Sequence, residues 1–555
     1  MSDRLTELDV AIGADPGDFS PLLEALVADR VASRIFDHDT TLWGEAARAE
    51  AEIRLGWTDP FAAAESLLDE VEALRAELAG RGVDRIVLCG MGGSSLAPEV
   101  IARWSGVALT VIDSTHPAVM RRELSADLSR TAVVVSSKSG GTIETRSHRA
   151  SFDHAFRETG IDPAGRIIVV TDPGSALEAD AREAGQRVFL ADPNVGGRFS
   201  ALTAFGLVPT GLAGADVRRL LADASSVVAR VAADSVENPA LVLAAVLAAG
   251  LPDRYLLALS SGNSADWGLG AWVEQLIAES TGKDGTGVLP VALPVAAPEL
   301  RDRPGNMELV HLYGETADPL YQDFSGSAAV TGTLGAHFMM WEVLTAALGK
   351  LMGIDPFDQP DVESAKVAAR EALARTGAAD STEDPREDRT DGDAGRPVAG
   401  LAGVSLLASS GIGEDPSLES AAGVVAAVQA MVPENGYLAI QAYLDPAGQH
   451  AATLERLRGR LAERLRVPVT LGWGPRYLHS VGQLHKGGPA LGAFLQVTDG
   501  AFPDVAIPGQ ASGFGDLITA QARGDRDVLA ARGRPVLAIR CADPEAALRE
   551  IVAAV

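Results

Sequence analysis

The chain has 555 residues, with 75 acidic against 47 basic side chains and a net charge of −28. No basic footprint is present, which argues against a nucleic-acid partner, and with only two cysteines, Cys89 and Cys541, a disulfide scaffold is excluded. The opening residues MSDRLTELDVAIGAD lack a basic segment followed by an apolar run, and no apolar stretch reaches the roughly 18 residues of a membrane span, so a cytoplasmic protein is expected.

Residues 1–80 read as an N-terminal helical segment. AARAEAEIRLGW and AAAESLLDEVEALRAELAG carry apolar residues at helical spacing among charges. From residue 84 the period changes. RIVLCG (85–90), ALTVID (108–113), TAVVVSS (131–137), RIIVVTD (166–172) and RVFLAD (187–192) are short apolar runs separated by helix-compatible segments. That alternation predicts a first α/β domain over 81–230 with a parallel sheet covered on both faces. Ligands in such sheets bind beyond the carboxyl ends of the strands, so the loops after these runs are the places to look.

The most informative loop lies in Val133–Thr145, where β-branched residues run into SSKSGGT and then into a predicted helix. Backbone N–H groups, hydroxyls and a helix N-terminus converge there, which suits an anion. The spacing does not fit a nucleotide P-loop, so phosphate on a small molecule is the better reading. A capped turn with no ligand fits the same residues, and the loop alone leaves both open. Two further loops are rich in glycine and hydroxyls: GMGGSSLAPEV (90–100) and NVGGRFSALTAFG (194–206). Gly90-x-Gly92 does not continue to a third glycine at the dinucleotide spacing, which ranks a nicotinamide site below a sugar-phosphate site.

A second α/β domain is expected over 231–376. It contains RYLLALSSGNSADW, GLGAWVEQLIAESTGKDGTGVLPV, the strand-like MELVHLYG and the helix-like LGAHFMMWEVLTAALGKLMG. Residues 377–398 read as an acidic flexible linker. A C-terminal α/β unit over 399–555 follows, with GYLAIQAYL, PVTLGWG, GAFLQVTD and PVLAIRC as strands and TLERLRGRLAERL as a basic amphipathic helix. Within it, GPRYLHSVGQLHKGGP (474–489) gathers two histidines, an arginine and a lysine, which packing alone does not explain.

Together these loops resemble the glucose-6-phosphate isomerases of the SIS-domain family. GMGGSSLAP is similar to the family's Gly-x-Gly-Gly-Ser loop, SSKSGGTIET to its Ser-Lys-x-x-x-Thr-x-Glu-Thr phosphate loop, and NVGGRFS to its Gly-Gly-Arg-Phe-Ser signature. AESTGK resembles the Glu-Ser-x-Gly-Lys segment, and FDQPDVESAK the second signature, with Asp361 where glycine is usual. The matches run in family order from Gly90 to Lys366. The family's histidine segment is missing from its usual interval. Its best match is His479-Ser-x-Gly-Gln in the C-terminal unit, as if the order were rearranged. Bifunctional transaldolase–phosphoglucose isomerase fusions resemble this chain in carrying such a unit.

The resemblance implies an α/β fold of two SIS-type doubly wound, mainly parallel sheets, with the N-terminal helical segment and the C-terminal unit added. It implies interconversion of glucose 6-phosphate and fructose 6-phosphate through ring opening and an enediolate. No cofactor and no metal are expected, the partner is a sugar phosphate, and the chain is expected to form a homodimer. By the same resemblance Glu279 is the base, Arg198 stabilises the enediolate, and Lys366 and His479 open the ring. Ser94, Ser137, Ser139 and Thr142 are expected to bind phosphate oxygens, Gly93 and Lys138 to be further substrate-binding residues, and Glu144 and Gln359 to make second-line contacts to the sugar hydroxyls or backbone. His337 is expected to be a packing residue and His485 to order its loop. The alternatives are an isomerase that also takes mannose 6-phosphate and a non-catalytic sugar-phosphate sensor. A sensor needs the phosphate loop but not a base.

Overall fold

Among the described residues of the computed structural model, the first regular element is a strand, β1 (Asp9–Ile12), inside a segment whose composition reads as helical. It pairs antiparallel with Ala328–Thr331. A ladder to so distant a partner is not encoded in local periodicity and overrides the helical preference of a four-residue stretch. The structure describes residues 8–13, 17–261, 267–315, 326–360, 395–410, 418–500 and 503–555.

The apolar runs that follow become β2 (Arg85–Gly90), β3 (Thr110–Ile112), β4 (Thr131–Ser136), β5 (Ile167–Thr171) and β6 (Arg187–Leu190). Their order is β3-β2-β4-β5-β6, and every pair is parallel. β4 and β5 are buried at every residue, which requires cover on both faces. Helices Ala64–Gly80 and Ala204–Ala213 close one apolar core on this sheet, with Leu78 and Phe205 against Val134 and Ile168.

A second sheet is built from β7 (Leu256–Ser261), β8 (Leu289–Leu293), β9 (Met307–Tyr313) and β10 (Ala328–Thr331). Its order is β1-β10-β9-β7-β8, with β1 the antiparallel member. Helix Leu334–Met352 is buried at every residue from Leu334 to Gly349, as expected of a helix apolar on all sides. Thr333 caps it by accepting from the Ala336 N–H at 3.3 Å, and Gly353 ends it in the left-handed conformation. Both sheets belong to one compact unit, Met1–Asp113, Ala126–Val295 and Asn306–Gln359.

The other unit comprises Ser114–Ser125, Ala296–Gly305 and Pro360–Val555. Its strands are β11 (Arg396–Pro397), β12 (Val404–Ser410), β13 (Tyr437–Tyr443), β14 (Val469–Trp473), β15 (Gly492–Asp499) and β16 (Val536–Cys541), in the order β11-β12-β16-β15-β13-β14. β13 to β16 run parallel, and β12 pairs antiparallel with β16. One face packs Ile440, Leu495, Val497 and Ile539 under helices Ala421–Met431, Ala451–Leu465 and Pro544–Ala554. Two segments from earlier in the chain are tied into this unit by buried polar contacts. Thr115 Oγ1 donates to Gln521 Oε1 at 2.6 Å, and Arg458 pairs with Glu299 at 2.7 Å. Of the predicted linker 377–398, residues up to 394 lie outside the described residues. Among the described residues no helix is long and apolar enough to cross a membrane.

Candidate active site

β2 and β4 lie side by side in parallel register, with Gly90 opposite Ser136, so the loops after both strands leave the same edge. After β4 the Ser137 N–H donates to the Val170 carbonyl at 3.0 Å, and Thr171 Oγ1 donates to the Ser137 carbonyl at 2.7 Å. These bonds turn the chain towards helix Ile143–Glu158. Gly140 sits at φ +70°, where a Cβ would also lie 2.6 Å from Leu177 Cβ, so only glycine fits. Ser137 Oγ donates to Thr142 Oγ1 at 3.3 Å, and Ser139 Oγ accepts from the Gly141 N–H at 3.3 Å. Thr142 is the N-cap residue, yet its own side chain makes no capping hydrogen bond, and the N–H groups of that turn suit an anion. Lys138 Nζ lies 2.5 Å from the Asp172 carboxylate and donates to the Pro193 carbonyl at 3.2 Å. Burial pushes the Asp172 carboxyl up, and Lys138 opposes this. Glu144 is buried in the first turn of the helix.

The loop after β2 packs backbone against backbone on the Gly-Gly-Arg-Phe-Ser turn. A Cβ on Gly93 would lie 1.9 Å from the Gly197 carbonyl oxygen. Gly93 therefore has a packing reason to be glycine, whatever it does for a ligand. Ser94 is buried in the same loop, and helix Leu269–Thr281 touches both loops.

Arg198, next to Gly197, is buried and fully engaged. Its Nε donates to Ser280 Oγ at 2.7 Å, its Nη1 to Gln359 Oε1 at 2.7 Å, and its Nη2 to the carbonyls of Pro356 at 2.8 Å and Asp358 at 3.2 Å. Nη1 also lies 3.7 Å from Glu279 Oε2. Glu279 is 5% exposed near the end of helix Leu269–Thr281, and Gln275 Nε2, one turn earlier, donates to the same Oε2 at 3.3 Å. One guanidinium thus gathers three separate segments around a buried carboxylate. Burial lowers the Arg198 pKa, and the Glu279 carboxylate opposes that shift. Arginine starts from so high a value that its charge is retained.

A second clamp was not foreseen from the sequence. Lys283 Nζ donates to the carbonyls of Asp355 at 2.6 Å and Asp358 at 2.7 Å, and pairs with the Asp358 carboxylate. Burial lowers its pKa, and the Arg198 charge adds to this. Lys283 was visible as the last residue of ESTGK, but nothing local says that its targets are backbone carbonyls 72 and 75 residues away. Ser280 and Gln275 were likewise missed, although both lie on the motif's own helix.

The other predicted residues fall elsewhere. Lys366 lies outside the described residues. His479 is half-buried at the end of a short turn, Arg476–His479, in the unit that does not contain Glu279. His337 is fully buried, donates from Nε2 to the Tyr313 carbonyl at 2.9 Å, and is pushed down to about 4 by burial. His485 is packed against Phe494, Tyr437 and Tyr477, and burial, with Lys486 and Arg534 nearby, pushes it down to about 3. Both behave as neutral core residues near pH 7.

A profile of the family described as phosphoglucose isomerase matches residues 62–287, which include Gly93, Ser137, Arg198, Glu279 and Lys283. A glucose-6-phosphate isomerase of Thermus thermophilus is 31% identical over 392 residues, spanning 59% of this chain and 92% of that protein. The chain belongs to the phosphoglucose isomerase family. A second glucose-6-phosphate isomerase, from Gloeothece citriformis, is 29% identical over 382 residues, covering 58% of this chain and 72% of the relative. Among solved structures, a hypothetical protein of Thermus thermophilus aligns with TM-score 0.56 and 27% identity, over 66% of this chain and all of that one. A glucose-6-phosphate isomerase from Chlamydia trachomatis shares the fold at TM-score 0.53 and 17% identity, over 67% and 89% of the two chains. The doubly wound sheets expected from the sequence are thus those of phosphoglucose isomerases.

Proposed function

We propose that the chain interconverts D-glucose 6-phosphate and D-fructose 6-phosphate, with Glu279 carrying the proton between C2 and C1. The observation that supports this reading most is the buried Glu279 carboxylate, flanked by Gln275 and Arg198 where three signature segments meet. A carboxylate so held is positioned for proton transfer, which contributes typically about 10²–10⁴-fold.

Phosphate is bound by Ser137, Ser139 and Thr142 together with the N–H groups at the start of helix Ile143–Glu158, with Ser94 and Gly93 on the neighbouring loop. Lys138 acts through its brace on Asp172, and Glu144 and Gln359 orient the loops around the sugar. Arg198 has four hydrogen bonds to the protein, so it is a fixed charge beside the base; it stabilises the enediolate by its field and cannot act as an acid. Ring opening is assigned to Lys366 and His479 on motif resemblance alone. The enzyme works in the cytoplasm as a homodimer.

The test follows fructose 6-phosphate consumption through an NADP-dependent glucose-6-phosphate dehydrogenase. Glu279→Gln should bind the sugar phosphate with little change and lose at least about 10²-fold in kcat. Turnover at the wild-type rate by this variant would remove the assignment.

A further inference from the structure

The C-terminal sheet has one apolar face and one polar face, and the polar face is not open to water. Ile440, Leu495, Val497 and Ile539 point into the apolar core. Alternate residues point the other way, towards helix Phe514–Ala531. Register lines them up in two rows across the central strands. One row is Gln441, Gln496 and Ala538, and the next is Tyr443, Thr498 and Arg540. Central parallel strands covered on both faces are normally apolar on both.

These polar side chains are not satisfied by one another. Gln441 is 1% exposed and Gln496 is 0% exposed. Gln496 Nε2 donates to the Ala522 carbonyl at 3.0 Å. Its Oε1, and both polar atoms of the Gln441 side chain, have no hydrogen-bond partner among the described residues. Buried polar atoms of this kind are rare and call for an explanation.

Gln496 and the second row border a shallow, open cleft at the carboxyl ends of β13, β15 and β16, whose enclosed part has room for about one water molecule. That is where α/β sheets place ligands. Gln496 itself lines the cleft, together with Tyr443, Thr498 and Arg540 from the sheet and Arg523 and Arg526 from the helix. Its carboxylate, Asp499, is paired with His116 at 3.0 Å. Asp527, the acidic neighbour of both helix arginines, is more than half exposed. Behind the cleft Tyr443 Oη lies 2.9 Å from Tyr477 Oη, which donates to Asp525 at 2.6 Å, and Asp525 pairs with the buried Lys486 at 2.5 Å. This buried chain holds the Tyr443 ring in place at the back of the cleft.

We propose that this cleft is a second ligand site, built wholly within the C-terminal unit, for a phosphate monoester that also carries free hydroxyl groups. Guanidinium groups and the Thr498 hydroxyl match phosphate oxygens. The Gln496 carbonyl oxygen is a buried acceptor awaiting a donor, which a sugar hydroxyl supplies as the bound ligand opens the cleft wall. The site uses none of the residues assigned to isomerisation and does not depend on that assignment.

The test is calorimetric titration of the full-length chain with sorbitol 6-phosphate, which lacks a carbonyl and cannot be isomerised. The wild type should take up two equivalents per chain. Arg540→Leu should take up one, and Thr142→Val, in the isomerase phosphate loop, should retain the equivalent that Arg540→Leu loses. Gln496→Leu keeps the side chain's approximate size and removes the stranded acceptor. It should weaken the second equivalent about tenfold or more while leaving the affinity for inorganic phosphate at that site unchanged. It also decides the question if Arg540→Leu does not fold. Binding that neither Arg540→Leu nor Gln496→Leu alters would overturn the proposal. A single equivalent lost in Arg540→Leu but kept in Thr142→Val would uphold it and count against the isomerase phosphate loop instead.

Discussion

Replacing Lys283 with methionine tests whether the loop carrying Gln359 is held by one buried ammonium. The Lys283 side chain is 3% exposed, and its Nζ serves two backbone carbonyls and one carboxylate. Hydrogen bonds from a charged donor are worth roughly 1.5–3 kcal/mol each. The ion pair adds little, because the Asp358 side chain is 38% exposed and can be rehydrated; pairs of that kind contribute at most about 1 kcal/mol. Burying the ammonium has its own cost, as the lowered pKa of Lys283 indicates, so the net loss on substitution should be about 2–3 kcal/mol. Methionine fills much of the same volume, so no large cavity adds to this. The released loop contains Gln359, which accepts from Arg198 at 2.7 Å, and misplacing such a contact should lower kcat/KM by about ten- to a hundredfold. Urea unfolding and the coupled isomerase assay measure the two effects. Asp358→Asn keeps both carbonyl acceptors and should lose no more than about 1 kcal/mol. If the two variants lose equal stability, or if Lys283→Met unfolds and turns over as the wild type does, the carbonyl clamp is not what holds the loop.

Gly93→Ala would put a methyl 1.9 Å from the Gly197 carbonyl oxygen; it should lose about 1–3 kcal/mol and reduce kcat/KM of the folded fraction, read by denaturation and turnover on one preparation. His479→Ala should lower kcat with little change in stability, whereas His337→Ala should lower stability and spare the kcat of folded protein; the opposite pattern would transfer the ring-opening role to His337. Both buried histidines make stability depend on pH in one direction. Their folded pKa values are pushed down to about 4 for His337 and about 3 for His485. The unfolded chain therefore takes up protons first, and their contribution is complete above pH about 6.5 and is lost as pH falls towards those values, at about 1.4 kcal/mol per pH unit for each. Unfolding midpoints between pH 7 and pH 4.5 should fall less steeply in His485→Leu, and an unchanged slope would mean that His485 is protonated in the folded chain.

What the sequence made legible follows from how far each signal reaches. β4 and β5 announce themselves because a strand buried on both faces must be a run of β-branched residues, as TAVVVS and IIVVT are. The glycine loops are legible for a similarly local reason, since Gly140 needs its positive φ wherever its neighbours lie. β1 is illegible because its pairing is with Ala328–Thr331, and the Lys283 clamp because backbone carbonyls carry no residue identity. The polar rows of the C-terminal sheet fail for a subtler reason. Gln441-Ala-Tyr443, Gln496-Val-Thr498 and Ala538-Ile-Arg540 alternate at period two, a pattern that ordinarily means one face in the core and one in water. β13 is nonetheless buried at every residue, so water is not what the polar face of that strand meets. Alternation records only that one face needs hydrogen-bond partners. Whether those partners are solvent, protein or ligand depends on what covers the face, and here the cover is a helix that brings arginines and leaves the Gln496 carbonyl oxygen without a partner among the described residues. A strand with the alternation of an exposed sheet and the burial of a core therefore marks a covered polar face, which neither the sequence nor the burial pattern shows alone.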